Sequence, residues 1–266
     1  CEDTPTILAN EELARQEFGE TVPFSEHGNI RSREACLKSS TMAVELAKRE
    51  NAKLHVLHIT TEEELQLFEA GNNRITAEAC VHHLWFEDLS YSTLGSLIKC
   101  NPAIKKASDR DAIRNAVADG RISILATDHA PHTWEEKQGN YFNAPSGLPL
   151  IQHSLLLMLE MCEQECFTIE RVVERACHAP ARLFQVEERG YLREGYWADI
   201  VIVDPTKHTT VEKTELFSKC QWSPFPHMTL TILIEATIVS GEIAYQKGQI
   251  NIACRGKRVN FSNLRR

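Results

Sequence analysis

The sequence predicts an α/β protein built on a parallel sheet, followed by a smaller β-rich domain. Two observations carry this: strand and helix patterns alternate up to residue 126, and strands punctuated by turn residues replace them after Gly190. Residues 31–50 (RSREACLKSSTMAVELAKRE) set apolar side chains at Ala35, Met42, Ala43, Leu46 and Ala47, a helical spacing among good helix formers. Residues 53–59 (KLHVLHI) form a short β-rich strand. Thr60 or Thr61 then caps a helix running from Glu62 to Ala70 and stopped by Gly71. The unit repeats with 74–80 (RITAEAC) as a strand, a short apolar rise through Ile98 to Asn101, 108–118 as a helix closed by Gly120, and 122–126 (ISILA) as a strand. Residues 133–149 hold two glycines, two prolines and two asparagines and predict a functional loop. Helices follow over 151–162 and 168–177. Beyond them, 198–203 (ADIVIV), 229–239 and 242–245 are strands divided by Asp204-Pro205 and Ser240-Gly241. The change of texture at 186–192 divides the chain into domains 1–189 and 190–266.

With 266 residues, 42% of them hydrophobic and 25% charged, the chain has material for a buried core, which excludes disordered and low-complexity classes. A formal charge of −8 repels a phosphate backbone and an anionic membrane surface alike, and argues against nucleic acid as a partner. No apolar run reaches the roughly 20 residues that span a bilayer. Nine cysteines, an odd number without C-x-x-C pairs, and the lack of a basic-then-apolar leader point to a reducing cytoplasm. The chain opens on Cys1 rather than methionine, in mid-motif, which predicts that a preceding segment has been removed.

Four groups lie where predicted strands end, the edge at which parallel α/β architectures gather their chemistry. His58 stands at the end of KLHVLHI; a neutral imidazole there can bind metal, although a lone histidine ending an apolar strand is more often a hydrogen-bonded core residue. Asp128, with His129 and His132 in ILATDHAPH, follows a buried strand. A carboxylate there must be paired, metal-bound or titrated, unless it serves as a turn or cap residue. Asn101 in KCNP offers a donor and an acceptor to a planar amide, in a dipeptide that is also a common turn. His82-His83 in EACVHHLWF invite a metal reading, but adjacent side chains of an extended segment diverge, so at least one is expected to be structural. His58 and Asp128 lie about two βα units apart, which would set them two strands apart at one barrel mouth. Catalytic zinc usually takes about three protein ligands, so the remainder is expected from outside this chain.

In order along the chain, HVLHIT (55–60), AEACVHHL (77–84), CNPAIK (100–105) and ATDHAPH (126–132) resemble the dihydroorotase family of the cyclic amidohydrolase superfamily. Residues 175–205 resemble that superfamily's barrel exit and small β-domain. The resemblance covers nearly the whole chain, with ATDHAPH its most specific motif. It implies the C-terminal portion of a (β/α)8 TIM-like metal-dependent hydrolase barrel, strands 6 to 8 with their helices, over 1–189, and a small β-sandwich domain over 190–266. It also implies zinc, two ions in an intact site. His58 resembles the strand-6 metal ligand, and Asp128 the strand-8 aspartate that binds metal and moves the proton. Asn101 and His132 match positions contacting the dihydroorotate ring or carboxylate. The loop 143–147, with Ser146 and Gly147, matches a backbone contact region. Cys1-Glu2-Asp3 looks like the continuation of a His-Cys-Glu-Asp motif whose metal-binding histidine would precede Cys1, and the family's His-x-His pair and bridging carboxylated lysine or aspartate are likewise expected upstream. His178-Ala179-Pro180 departs from the family's Asn-Pro-Ala, with an effect on packing. The implied activity is reversible conversion of N-carbamoyl-L-aspartate to dihydroorotate in pyrimidine biosynthesis, on a small-molecule substrate, with a homodimer allowed. The alternatives are another cyclic amidohydrolase, of allantoinase or dihydropyrimidinase type, and an inactive dihydroorotase-like scaffold.

Overall fold

A computed structural model describes residues 2–262. Helices α1 (Thr4–Phe18), α2 (His27–Ile30) and α3 (Arg33–Arg49) come first, then strand β1 (Leu54–Val56). Side-chain caps start the long helices: Asp3 accepts from the Thr6 amide at 3.1 Å, and Ser32 from that of Ala35 at 3.2 Å. After β2 (Ile75–Cys80), helices α4 (Val81–Trp85), α5 (Tyr91–Leu94) and α6 (Ala107–Asp119) lead across to β3 (Ile124–Ala126). The three strands are parallel in the order β1-β2-β3, with Leu54 opposite Ile75 and Glu78 opposite Ile124.

The predicted helix over 62–70 is instead a single 3-10 turn, Glu63–Leu67. The buried Glu64 carboxylate accepts from Ser40 at 2.5 Å and Thr61 at 2.8 Å, which holds the segment tightly against α3. Past β3, helices α7 (Trp134–Lys137), α8 (Ser154–Glu163), α9 (Ile169–Val173) and α10 (Ala179–Leu183) follow. The helix expected over 168–177 runs on through a π-helical turn, Glu174–His178, into α10. Pro180 has no N–H to continue the ladder, and the wider turn takes up the mismatch.

Apolar side chains pack between the sheet and α3, α6 and α8, with Val56, Ala77, Ala79, Val117, Ile122 and Leu157 fully shielded from solvent. The C-terminal residues hold β4 (Ile200–Asp204), β5 (Thr209–Thr210), β6 (Thr229–Leu230), β7 (Leu233–Val239), β8 (Glu242–Gln246) and β9 (Gln249–Ile250). Four of these form an antiparallel sheet in the order β4-β7-β8-β9, and β5 pairs with β6. Val211, Phe225, Leu230 and Ile232 belong to the same apolar core as the parallel sheet. The strand expected over 229–239 is broken because the Thr231 amide and hydroxyl both donate to Glu160 of α8, at 2.8 Å each. The β7–β8 turn sets Ser240 and Gly241 at φ of 53° and 88°, the two positive values that a type I′ hairpin needs. Among the described residues no helix is long and apolar enough to cross a membrane.

One buried carboxylate joins three elements. Asp109 accepts from the amides of Glu62 at 2.9 Å and Lys106 at 3.2 Å and pairs with Arg33, which also pairs with Glu63. Asp109→Ala should lower unfolding stability by about 3 kcal/mol, because it strips several charge-assisted bonds at once. The check is a urea midpoint that falls with an unchanged slope; a midpoint equal to that of the unaltered chain would contradict it.

Candidate functional site

Because the strands run parallel, their C-terminal ends share one edge. His58 lies two residues past β1, His82 two past β2 and Asp128 two past β3. His58 and Asp128 both leave the sheet at positive φ, 43° and 49°, a conformation that a residue with a Cβ adopts only when its surroundings impose it. Burial lowers the His58 imidazole to a pKa of about 4, so it is neutral at neutral pH, and its Nδ1 is buried without a partner. The Asp128 side chain opens to solvent at the edge, yet the protein packed behind it raises its pKa, with the charge of Glu78 adding to the effect. Glu78 is itself engaged by His55, whose Nε2 lies 3.1 Å from the carboxylate, and His55 Nδ1 meets Thr76 Oγ1 at 2.8 Å. His55 is thus taken up in the sheet, and His58 stands at the edge.

The rest of the ATDHAPH motif is committed to structure. His129 Nδ1 accepts from the amides of Leu150 at 2.9 Å and Ile151 at 3.1 Å. His132 Nε2 donates to the Ser146 carbonyl at 3.1 Å, and its Nδ1 lies 3.7 Å from Glu136. Asn101 stands on the neighbouring turn, with its Oδ1 buried and unpartnered, an acceptor available to a ligand.

The loop expected over 133–149 contains α7 and is tightly held. Lys99 Nζ donates to the carbonyls of Tyr141 at 2.5 Å and Ala144 at 2.7 Å. Lys137 Nζ donates to those of Pro145 at 2.8 Å and Gly147 at 3.1 Å. With His132 on Ser146, every carbonyl from residue 144 to 147 meets a side-chain donor. Both lysines are buried, and burial lowers each to a pKa of about 8. Gly147 sits at φ 142°, where an added Cβ would come within 2.5 Å of the Ala130 carbonyl, so only glycine fits. Ser146 and Gly147 were expected as contact residues from the resemblance, whereas the two lysines carried no expected role, because their partners are loop carbonyls that no side-chain pattern announces.

The expected divergence of His82 and His83 is overturned. They lie in the short helix α4 rather than in an extended segment, so their side chains are about 100° apart instead of opposed. Their ring centroids are 4.0 Å apart, and together with Cys100 they offer ligand atoms all within 4.8 Å of one another. A cavity of about 650 Å³ lies elsewhere, between His153, Thr210 and Tyr245. It holds none of the residues of the edge, and the chemistry of His58, Asp128 and Asn101 outweighs size in choosing the candidate site.

The sequence profile of the amidohydrolase family matches residues 24–244. A dihydroorotase of Halobacterium salinarum is 35% identical over 207 residues, covering 75% of this chain and 49% of that protein. A dihydroorotase of Latilactobacillus sakei is 32% identical over 210 residues, covering 77% and 49%. The chain therefore spans about half the length of the curated relatives it matches. Among solved structures, the L-hydantoinase (dihydropyrimidinase) from Arthrobacter aurescens superposes with a TM-score of 0.88 at 23% identity, over 94% of this chain and 57% of its own. The dihydropyrimidinase from Brevibacillus agri gives 0.85 at 18%, over 94% and 56%. At these identities the structural likeness shows a shared fold.

Lys137→Met should free the Pro145 and Gly147 carbonyls, speeding amide hydrogen exchange at residues 146–148 while β2 keeps its protection. It should also alter the pH profile. Between about 8, the folded value, and 10.5, the ordinary one, the unfolded chain still holds a proton that the folded chain has shed, so stability climbs with pH across that window. The variant should lose the share of the climb due to Lys137, read from urea midpoints against pH; an unchanged climb would contradict the assignment.

Proposed function

This chain belongs to the amidohydrolase family, and on that premise we propose that it carries the strand-6 to strand-8 side of a dihydroorotase active site, for the reversible conversion of N-carbamoyl-L-aspartate to dihydroorotate. The observation that carries the reading is the arrival of His58 and Asp128, from remote segments, at one edge of a parallel sheet, in a chain that also leaves the buried Oδ1 of Asn101 without a partner. Dihydroorotases matched at 32–35% identity support it over the hydantoinase reading, which rests on structural likeness at 18–23%.

The residues fit the metal that the family uses. His58 is neutral with a free, buried Nδ1, and Asp128 is a carboxylate at a strained backbone position. These two would hold zinc, with two ions in an intact site and the remaining ligands drawn from the part of the relatives' length that this chain does not span; Cys1 lies outside the described residues. When bound, the metal supplies Lewis acidity toward the ring carbonyl and activates the attacking water.

Asp128, its pKa raised, takes the proton of the attacking water and returns it to the leaving ring nitrogen. Asn101 Oδ1 accepts a ring N–H, and His132, its Nε2–H held by the Ser146 carbonyl, flanks the substrate carboxylate. The buried Lys99 and Lys137 give the 144–147 wall a positive potential that the net charge of −8 does not. Ser146 and Gly147 present that wall to the substrate.

The same reading extends to the architecture. The division at residues 189/190 would separate the barrel portion from a small β-sandwich. The β4-β7-β8-β9 sheet leaves Ile202, Ile243 and Ile250 between 47 and 49% exposed, as a sheet awaiting a second layer would. Each cysteine among the described residues is a free thiol, in keeping with the cytoplasm. The acidic surface fits a small-molecule substrate rather than nucleic acid, and a homodimer is compatible with it.

Loss of dihydroorotate followed by ultraviolet absorbance in the full-length parent, with allantoin and dihydrouracil as controls, tests the assignment. Turnover should be confined to dihydroorotate and abolished by a chelator. Asp128→Asn should lower kcat by about 10³-fold or more with the circular dichroism unchanged. Turnover of dihydrouracil instead would move the assignment to the dihydropyrimidinase type, and no turnover with zinc supplied would favour the scaffold.

A further inference from the structure

We propose that His82, His83 and Cys100 form a second metal site, a buried centre of two nitrogens and one sulfur for a borderline-soft divalent cation such as zinc or cobalt. It shares no residue with the His58–Asp128 pair, and it does not depend on the proposed activity.

Geometry carries it. Cys100 Sγ lies 3.7 Å from His83 Nε2, and the Pro102 carbonyl lies 3.0 Å from that nitrogen and 3.2 Å from the sulfur. Tetrahedral zinc, with bonds of about 2.3 Å to sulfur and 2.0–2.1 Å to nitrogen, sets its donors roughly 3.3–3.6 Å apart. Two ligands and a carbonyl oxygen therefore already stand near coordination distances around one point. One ligand atom of His82 comes within 4.8 Å of the others, so a small swing of its ring completes a four-donor set.

The second observation is what the cluster lacks. His82 is fully buried, and neither of its ring nitrogens has a hydrogen-bond partner; His83 Nδ1 is also buried and unpartnered. A native core pairs its buried polar atoms almost without exception, so an imidazole orphaned at both nitrogens beside a thiol needs an occupant. Burial keeps both imidazoles uncharged, with His82 held to about 3, so each ring keeps one lone pair; His83 Nε2 now donates to the Pro102 carbonyl, and its proton must move to the unpartnered Nδ1 for Nε2 to ligate. The same burial pushes the Cys100 thiol up to about 12, so sulfur ligation must expel the thiol proton to solvent, one for each cation bound. An imidazole, thiolate and carbonyl set selects zinc or cobalt over magnesium or calcium. The bound ion would tie the C-terminal end of β2 to the turn that carries Asn101.

The test titrates cobalt into the metal-free 266-residue chain bearing His58→Ala and Asp128→Asn, which silences the edge pair. One cobalt should bind per chain, with a thiolate-to-cobalt charge-transfer band in the near ultraviolet, tetrahedral bands in the visible and one proton released. Cys100→Ser should abolish the charge-transfer band and weaken binding by more than the ~10–100-fold that even an outer partner of a metal ligand commands. His82→Ala should weaken binding while the band persists. Should Cys100→Ser fail to fold, X-ray absorption of the zinc-loaded double variant replaces it, with one sulfur expected at about 2.3 Å. No charge-transfer band in the double variant, a band that survives Cys100→Ser, or a zinc shell without sulfur would each overturn the site. None of these readouts requires turnover, so the centre can fail while the dihydroorotase reading stands, and the reverse.

Discussion

The parallel register of three short strands is the constraint on which the rest depends. Parallel pairing brings all the C-terminal ends to one side, and burial of both faces leaves little room for polar side chains within the strands. Ala77, Ala79 and Cys80 of β2 accordingly have no exposure, and the residues able to do chemistry gather just beyond the ends: His58, His82 and Asp128. These three come from segments remote in sequence and are brought to one edge by the parallel register that sets Leu54 opposite Ile75 and Glu78 opposite Ile124. A one-residue slip of β3 would exchange the side chains on its two faces and carry Asp128 away with it.

A second constraint follows from the first. A wall beside an edge of this kind must be irregular backbone, and irregular backbone leaves carbonyls without ladder partners. Here buried cations supply them. Lys99 and Lys137 serve four loop carbonyls between them, and His27 links the N-terminal helices to the same region through Tyr141 Oη at 2.8 Å and the Cys100 carbonyl at 2.7 Å. Burial that lowers the lysines to about 8 leaves them mostly charged near neutral pH, so they can bind carbonyls strongly and still set the sign of the local potential. The feature that stiffens the wall is thus also the one that suits it to an anion.

Where local pattern and tertiary packing agreed, the sequence was legible. The helix read over 31–50 is α3, capped locally by Ser32, but Met42 and Leu46 of the apolar positions that predicted it are exposed, and the buried face runs through Ala35, Cys36, Ser40, Val44 and Ala47. The strands read over 74–80 and 122–126 are β2 and β3. Where they disagreed, a side chain from elsewhere decided: Ser40 drew Glu64 inward and left only a 3-10 turn, and Glu160 drew Thr231 out of a strand. That His58 and Asp128 end strands was legible from position, since each follows a short apolar run, while their pairing as candidate ligands came from the resemblance. The commitment of His129 and His132 to backbone was not legible, because their partners lie 21 and 14 residues away.

By itself, then, the sequence determined the α/β class, the motifs that resemble the dihydroorotase family, and the residue types available at each strand end, because periodicity, caps and short motifs are encoded between neighbours. Tertiary structure decided which of those residues are free and which are spent. It turned His82 and His83 from a diverging strand pair into a helical one, brought Cys100 to them, and filled each carbonyl from 144 to 147 with a donor. The physical reason is that hydrogen-bond satisfaction and burial are properties of the packed chain, settled among residues that the sequence keeps apart.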